Sequence, residues 1–539
     1  MAADIRATSN QAPLLVDHNT VTSDVALVEA VTRHASPATV DALRPLGAEA
    51  STAEAREHGM LANRHAPELV PYDRYGNRVD EVRFHPSWHW LMERGVGYAL
   101  QAAPWESDSP HAHVRRAAGF FAWSQTEPGH GCPISMTYAA VPALRVDDAL
   151  AKEWTPRLAS TSYDFGLRPV ADKAGALAGM GMTEKQGGSD VRANVTTATP
   201  TAVDGEYTLD GHKWFTSAPM NDVFLVLAQA PGGLTCFLLP RVLPDGSRNR
   251  LDVVRLKDKL GNRSNASSEL ELRGTWAQRL GDEGRGVRTI IEMVAATRLD
   301  CVLGSASLIR VALSEAAHHV THRSAFGAPL AQQPLMQTVI ADLALESEAA
   351  TALAMRLAGA VDRDERPFLR LALPAAKYLV CKRAPAVVAE ALECLGGNGF
   401  VEDSGLPRRY REAPLNSIWE GSGNVTALDV LRALTREPDA VAAVVAELDA
   451  AAGADQWFDR AVRELRAELR SREPRRARRM AELLALCLQG SLLLRYGPYE
   501  VAAAFVASRF LPDGPWRTAG TLPVDTVTEP LVARVTPRS

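Results

Sequence analysis

The chain has 539 residues, 46% of them hydrophobic and 23% charged, with a formal net charge of −5. That length fits three or four domains at roughly 150 residues each, and several cores can be buried without disulfide or metal staples. The charge balance excludes a polycation, so any affinity for nucleic acid has to come from a local patch. The six cysteines, Cys132, Cys236, Cys301, Cys381, Cys394 and Cys487, form no C-x-x-C pair. They read as buried thiols in a reducing compartment, and no metal site is expected. The N-terminal MAADIRATSNQAPLL lacks a basic segment followed by an apolar run. No apolar run reaches the ~18 residues that span a bilayer, so the expected location is cytoplasmic.

The first forty residues are polar, with turn-forming Asn, Pro and Ser, and read as an arm packed on a domain. From about Val40 to Arg157 apolar residues recur at helical spacing, interrupted by proline-rich stretches such as AAPWESDSP. The texture changes near Leu177. Short alternating runs follow, among them GEYTLDGHKWFTS, DVFLVLAQA, LTCFLLPRVL and SSELELRG, separated by glycine-bearing turns. They predict a β-barrel or sandwich. Long amphipathic segments then predict a helical bundle, and a further helical piece with a proline-rich tail closes the chain. The expected class is α+β. Its domains are an N-terminal helical domain with an arm (residues 1–177), a β-domain (178–275), a four-helix bundle (276–436) and a basic C-terminal helical domain (437–539). From Trp457 to Ser539 there are 14 Arg, no Lys and 9 acidic residues, a balance of +5.

Three stretches could carry chemistry. In MTEKQGGSD, residues 182–190, adjacent glycines let backbone N–H groups approach a ligand, and Thr183 and Ser189 add hydroxyls. The stretch suits a pyrophosphate and equally a plain polar turn. In GHKWFTS, residues 211–217, strand aromatics could wall a flat ring or simply fill a core. In LNSIWEGSGN, residues 415–424, Ile418 and Trp419 could desolvate Glu420 while the glycines leave room beside it. Desolvation raises a carboxyl pKa towards working pH, which suits a general base.

The order and spacing of these segments, with RFHPSWHWLM, CPISMTYAA, RLKDKLGNRSNAS, QQPLM and YREAPLNSIWEGSGN, resemble the acyl-CoA dehydrogenase family over nearly the whole chain. The resemblance implies an acyl-CoA dehydrogenase-like fold that binds FAD without a covalent bond at its domain junction. It places Met182, Thr183, Gly188 and Ser189 at the flavin ring and pyrophosphate. Trp214 and Phe215 would lie beside the flavin, and Thr216 would donate to flavin N5. Arg323 and Phe326, in RSAFG, would reach the adenine half of FAD in a neighbouring subunit, with Gly397 also at the cofactor. Pro334 and Glu393 depart from the family's usual glutamines and put those inter-subunit contacts in question. Trp419, Ser422 and Asn424 would flank the cofactor around the base.

The same resemblance implies that Glu420 removes the α proton of an acyl thioester while a β hydride passes to flavin. The backbone N–H of Glu420 and a flavin ribityl hydroxyl would hold the enolate oxygen. Some members carry the base on the bundle helix just before an arginine. Here that position is Thr297, which leaves Glu420 as the base and Arg298 as either a pocket residue or a bundle ion pair. Trp419 stands where the family commonly has tyrosine, which points to a short or branched acyl group. The family's usual homotetramer, a dimer of dimers, is expected. One branch adds a C-terminal helical domain, binds DNA and is linked to protection from alkylation damage. Arg463, Arg466, Arg470, Arg475, Arg476, Arg478 and Arg479 are the corresponding candidates for double-stranded DNA, with Arg460 and Arg472 in the same run. Glu464 and Glu468 could equally pair these arginines along an ordinary solvated helix. The alternatives are a flavin oxidase or monooxygenase acting on a nitrogen-containing small molecule, and a DNA-associated flavoprotein with negligible dehydrogenase turnover.

Overall fold

Alternating apolar residues close the middle of the chain into a barrel. The computed structural model describes residues 10–471, 473–511 and 518–537. Strands Glu206–Ser217, Val223–Ala230, Gly233–Pro240 and Ser267–Leu280 supply most of the pairing in a seven-stranded sheet. Val223–Ala230 pairs Gly233–Pro240 along its length and touches Thr197–Pro200 through Thr197 and Gln229, so the strand path closes on itself. Inward residues Leu209, Phe224, Val226, Phe237, Leu239, Val253, Leu270 and Leu272 fill its core. The short patterned runs predicted these strands; Glu206–Ser217 buries roughly alternate residues, whereas Val223–Ala230 is buried at nearly every position.

The chain divides into two compact units. One comprises Glu54–Phe120 and Thr126–Asp300, and so holds the barrel. It also holds helices Pro86–Gly97, Gly131–Leu144 and Asp148–Leu158 and a hairpin, Glu68–Tyr72 with Arg78–Arg83. That hairpin falls in the stretch read as helical. Its turn is set by Asp73, which accepts from the backbone N–H groups of Tyr75 and Asn77 at 2.8 and 2.9 Å, a local Asx turn.

The other unit comprises Met1–Ala53, Phe121–Gln125 and Cys301–Ser539. Its frame is the C-terminal part of helix Gly286–His322 with helices Pro334–Asp362, Arg366–Glu393 and Gly423–Arg436. Helix Ala477–Tyr496 packs on the last three, so the basic C-terminal segment shares the bundle's unit. Arg509 binds Asp342 and Glu346, and Arg534 binds Glu348 and Glu29. Helix Val25–His34 begins inside the stretch expected to be an arm, capped by Asp24 on the backbone N–H of Leu27. Its apolar face, Leu27, Ala30 and Val31, is buried. All six cysteines are free and buried. Among the described residues no helix is long and apolar enough to cross a membrane.

Candidate active site

The barrel unit gathers one set of candidate residues around a strand irregularity. Lys213 pairs with Leu270 and Thr216 with Ser268, so the register slips between them. Such a bulge lets successive side chains leave strict alternation. Lys213 and Thr216 both point inward and are buried, while Phe215 is 53% exposed. Freed from its partner strand, the Trp214 N–H donates to the Thr183 carbonyl at 2.8 Å and ties the 182–190 loop to the strand. Beneath the loop, Glu184 accepts from Lys213 Nζ at 2.7 Å, with both side chains fully buried. Burial alone would raise the Glu184 carboxyl, but the Lys213 ammonium and hydrogen bonds from Lys213, Thr196 and Val195 outweigh it and hold it at about 2. Asn194 supports the loop from the side by donating to the Met182 carbonyl at 2.9 Å.

Two features of this cluster fit a flavin. The Thr216 hydroxyl is buried and has no hydrogen-bond partner among the described residues, an uncommon state for a buried polar atom. It lies 3.3 Å from where a Cβ at Gly181 would stand. A Cβ at Gly188 would come within 2.9 Å of the Thr183 side chain, so the glycine keeps that hydroxyl and backbone close together. Gly188 and Ser189 are exposed. The Trp214 ring has the Lys257 ammonium 3.7 Å from its centre, with Lys185 and Arg255 at 5.5 and 5.9 Å. Lys257 and Arg255 are both held there by Glu269 at 2.8 Å. In the same unit Thr297 is buried, its hydroxyl bonded to the Met293 carbonyl at 3.2 Å, and Arg298 is half-buried on the next position.

The bundle unit carries the expected base on a strained turn. Glu420 has φ +56° and Gly421 φ +105°. Left-handed backbone costs a non-glycine residue roughly 1–2 kcal/mol, so the surroundings must enforce it. Lys377 Nζ donates to the Trp419 carbonyl at 2.7 Å and the Gly421 carbonyl at 2.6 Å. Trp419 Nε1 donates to Asn416 Oδ1 at 2.9 Å. Glu420 itself is half-buried. Ser422 follows as the N-cap of helix Gly423–Arg436, yet its hydroxyl makes no capping bond, which leaves it available to a ligand. Asn424 is exposed, and its Oδ1 accepts from Arg478 Nε at 2.8 Å. Neither Lys377 nor the link to Arg478 was foreseen from sequence. The signal for Lys377 was a lone lysine in the apolar run LPAAKYLV.

Three family models match consecutive parts of the chain: the AidB N-terminal domain over residues 10–165, the acyl-CoA dehydrogenase middle domain over 179–275 and the acyl-CoA dehydrogenase C-terminal domain over 284–435. The AidB protein of Escherichia coli K12 is 48% identical over 92% of this chain and 93% of its own length. The chain belongs to the acyl-CoA dehydrogenase family, in its AidB-like branch. Members of the family are FAD flavoproteins. Acyl-CoA dehydrogenase family member 11 of Caenorhabditis elegans is 35% identical over 71% of this chain and 64% of that protein. Among solved structures, ACDH-11 of the same organism, in complex with C11-CoA, superposes with TM-score 0.84 at 27% identity, covering 96% of this chain and 95% of that one. Bd2924 in its apo form gives TM-score 0.83 at 28% identity, covering 90% of this chain and 99% of that one.

The remaining candidates of this AidB-like chain fall into two groups. Phe326 and Gly327 both have positive φ and join the two-residue strands Ser324–Ala325 and Ala328–Pro329, a primed hairpin turn that thrusts its tip outward. Phe326 is 98% exposed. Arg323 donates to the Asn10 carbonyl at 2.6 Å, and the Asn10 side chain bonds the backbone of Ser324. Gly397 is exposed and has open space where a Cβ would be. The arginine run divides in two. Arg466 pairs with Asp449, Arg476 with Glu468, and Arg479 with Glu464 and Glu468. Among the described residues Arg463, Arg470 and Arg475 make no ion pair and are exposed. Arg460 stands over the Trp457 ring at 5.7 Å, and Arg472 lies outside the described residues.

Proposed function

We propose that this protein is an FAD-dependent dehydrogenase of acyl thioesters in which Glu420 is the catalytic base. The observation that carries this reading is the turn from Trp419 to Gly421. It holds a carboxylate on backbone that a non-glycine residue resists, inside the segment matched by the family's C-terminal domain. FAD, when bound, supplies the acceptor for the β hydride. Glu420 takes the α proton, and its backbone N–H is the chain's own donor to the thioester carbonyl oxygen. Met182, Thr183, Gly188 and Ser189 hold the cofactor, with Trp214 and Phe215 beside its ring. Thr216 would offer its buried hydroxyl to the flavin, and Ser422 the hydroxyl its helix does not use. Arg298 steers the acyl-CoA. The Trp419 indole, fixed by Asn416, narrows the space beside the base, which favours short or branched acyl groups.

Anaerobic titration with butyryl-, isovaleryl- and C11-CoA tests this reading. Bleaching of the flavin by the two short esters supports it. Bleaching by C11-CoA alone contradicts the short-chain assignment, and bleaching by none of the three contradicts the dehydrogenase reading.

A second reading has one observation in its favour. Arg463 and Arg470 lie two turns apart on helix Gln456–Ser471 and, with Arg475, are exposed and make no ion pair among the described residues. Unpaired arginines at that spacing suit the phosphates of duplex DNA without reading its sequence. On this reading the chain associates with DNA and limits alkylation damage as well as, or in place of, turning over acyl-CoA.

A further inference from the structure

A buried cation lies against the backbone that carries the base. Lys377 is in the middle of helix Arg366–Glu393 and is 1% exposed. Among the described residues it makes no ion pair. Its ammonium instead donates to two main-chain carbonyls, those of Trp419 at 2.7 Å and Gly421 at 2.6 Å. Burying a charge is costly unless it is fully hydrogen-bonded, so this lysine is not there to fill space. A leucine or methionine would do that at no such cost. The two acceptors belong to the residues immediately before and after Glu420. One ammonium therefore clamps the two-residue span of Glu420 and Gly421.

The consequence is conformational. The carbonyls of residues 419 and 421 converge on one ammonium only when the backbone between them is folded, and here Glu420 and Gly421 both have positive φ. Extended backbone would set these two carbonyls roughly 6.6 Å apart, farther than one ammonium can span with bonds of 2.7 and 2.6 Å. Lysine suits the task because its three donors sit on one small group. The planar guanidinium of arginine is bulkier and its donors diverge. We infer that Lys377 is a positioning residue for Glu420: by bridging the Trp419 and Gly421 carbonyls it selects the left-handed turn that aims the carboxylate. The inference rests on Glu420 being the base.

The test uses the full-length, FAD-loaded protein with Lys377→Met, which keeps length and removes the donors. Amide hydrogen exchange in peptides covering residues 415–425 is expected to accelerate at least tenfold, with helix Pro334–Asp362 unchanged. Flavin reduction by butyryl-CoA is expected to slow at least tenfold while the half-saturating butyryl-CoA concentration changes less than twofold. In Lys377→Ala, propylamine is expected to restore part of that rate and propanol none. If Lys377→Met does not fold, Lys377→Ala purified in propylamine carries both readouts, before and after the amine is dialysed away. Unchanged exchange in 415–425 overturns the inference. Faster exchange with an unchanged reduction rate overturns it as well. Failure of the base assignment shows separately, as Glu420→Gln being reduced as fast as the parent, and the exchange measurement does not depend on that result.

Discussion

At the scale of single residues, Thr216 makes the sharpest case for the cofactor. Its buried hydroxyl has no partner among the described residues. Leaving a buried polar group unsatisfied costs roughly 1–3 kcal/mol, so Thr216→Val removes a liability from the FAD-free protein and a hydrogen bond from the loaded one. The expected outcome is an unchanged or higher melting temperature without FAD, together with weaker FAD binding, read by flavin fluorescence. A variant that melts lower without FAD and binds it equally well contradicts the assignment. The spacing of Trp214 and Thr216 was legible in the sequence, since both lie in one strand-like run. The bulge was not. It depends on how strand Ser267–Leu280 pairs across from it, a contact more than fifty residues away. Glu420 was legible from its neighbours Trp419 and Gly421. Its support was not, because Lys377 lies on a different helix and reads in sequence as one more polar position.

At the scale of elements, the Met182 loop stands on the Glu184–Lys213 pair. Removing one partner of a buried ion pair costs about 3–5 kcal/mol, so Lys213→Met should lower the melting temperature by several degrees and weaken FAD binding through the loop. The pH dependence has a definite sign. Burial would raise the Glu346 carboxyl, but Arg509 and Arg383 hold it at about 2, and Glu184 is likewise held at about 2. A carboxyl lowered on folding stabilises the folded state fully above its unfolded pKa, near 4.3. That stability fades as pH falls towards 2. Thermal melts from pH 6 to pH 2.5 should show steady loss below about pH 4.5, and Lys213→Met, which removes the cation that lowers Glu184, should make that loss shallower. A flat profile between pH 4.5 and 2.5 contradicts the role given to these pairs. The strand-forming runs of the barrel followed from their short apolar patterning, whereas the hairpin at Glu68–Arg83 was missed because its turn residues stand in a stretch of otherwise helical periodicity.

At the scale of the whole molecule, two surfaces separate structure from function. The hairpin tip at Phe326 leaves a large apolar side chain 98% exposed, and Leu335 and Phe400 are exposed on the same unit. Large apolar groups left in water by one chain suit an interface. Sedimentation should therefore give a tetramer, and Phe326→Asp should shift it to smaller species with weaker FAD binding. A monomeric parent contradicts this. For DNA, the ion pairs now identify which arginines to change. Arg463, Arg470 and Arg475 to Ala should weaken duplex binding several-fold and flatten its salt dependence. The same change at Arg466, Arg476 and Arg479 should chiefly lower stability. Equal affinity in the first variant contradicts a phosphate-binding role. The sequence offered Glu464 and Glu468 as partners within one helix; in the structure they take Arg476 and Arg479 from beyond the following turn, while Asp449 lies outside the basic run and the Asn424 partner of Arg478 belongs to another helix.

The base assignment is tested most directly by the anaerobic half-reaction of Glu420→Gln. General-base catalysis contributes about 10²- to 10⁴-fold. The variant, loaded with FAD and mixed with butyryl- or isovaleryl-CoA, should therefore bleach at least a hundredfold more slowly than the parent, with unchanged flavin content. Bleaching at the parent's rate would show that another group takes the proton.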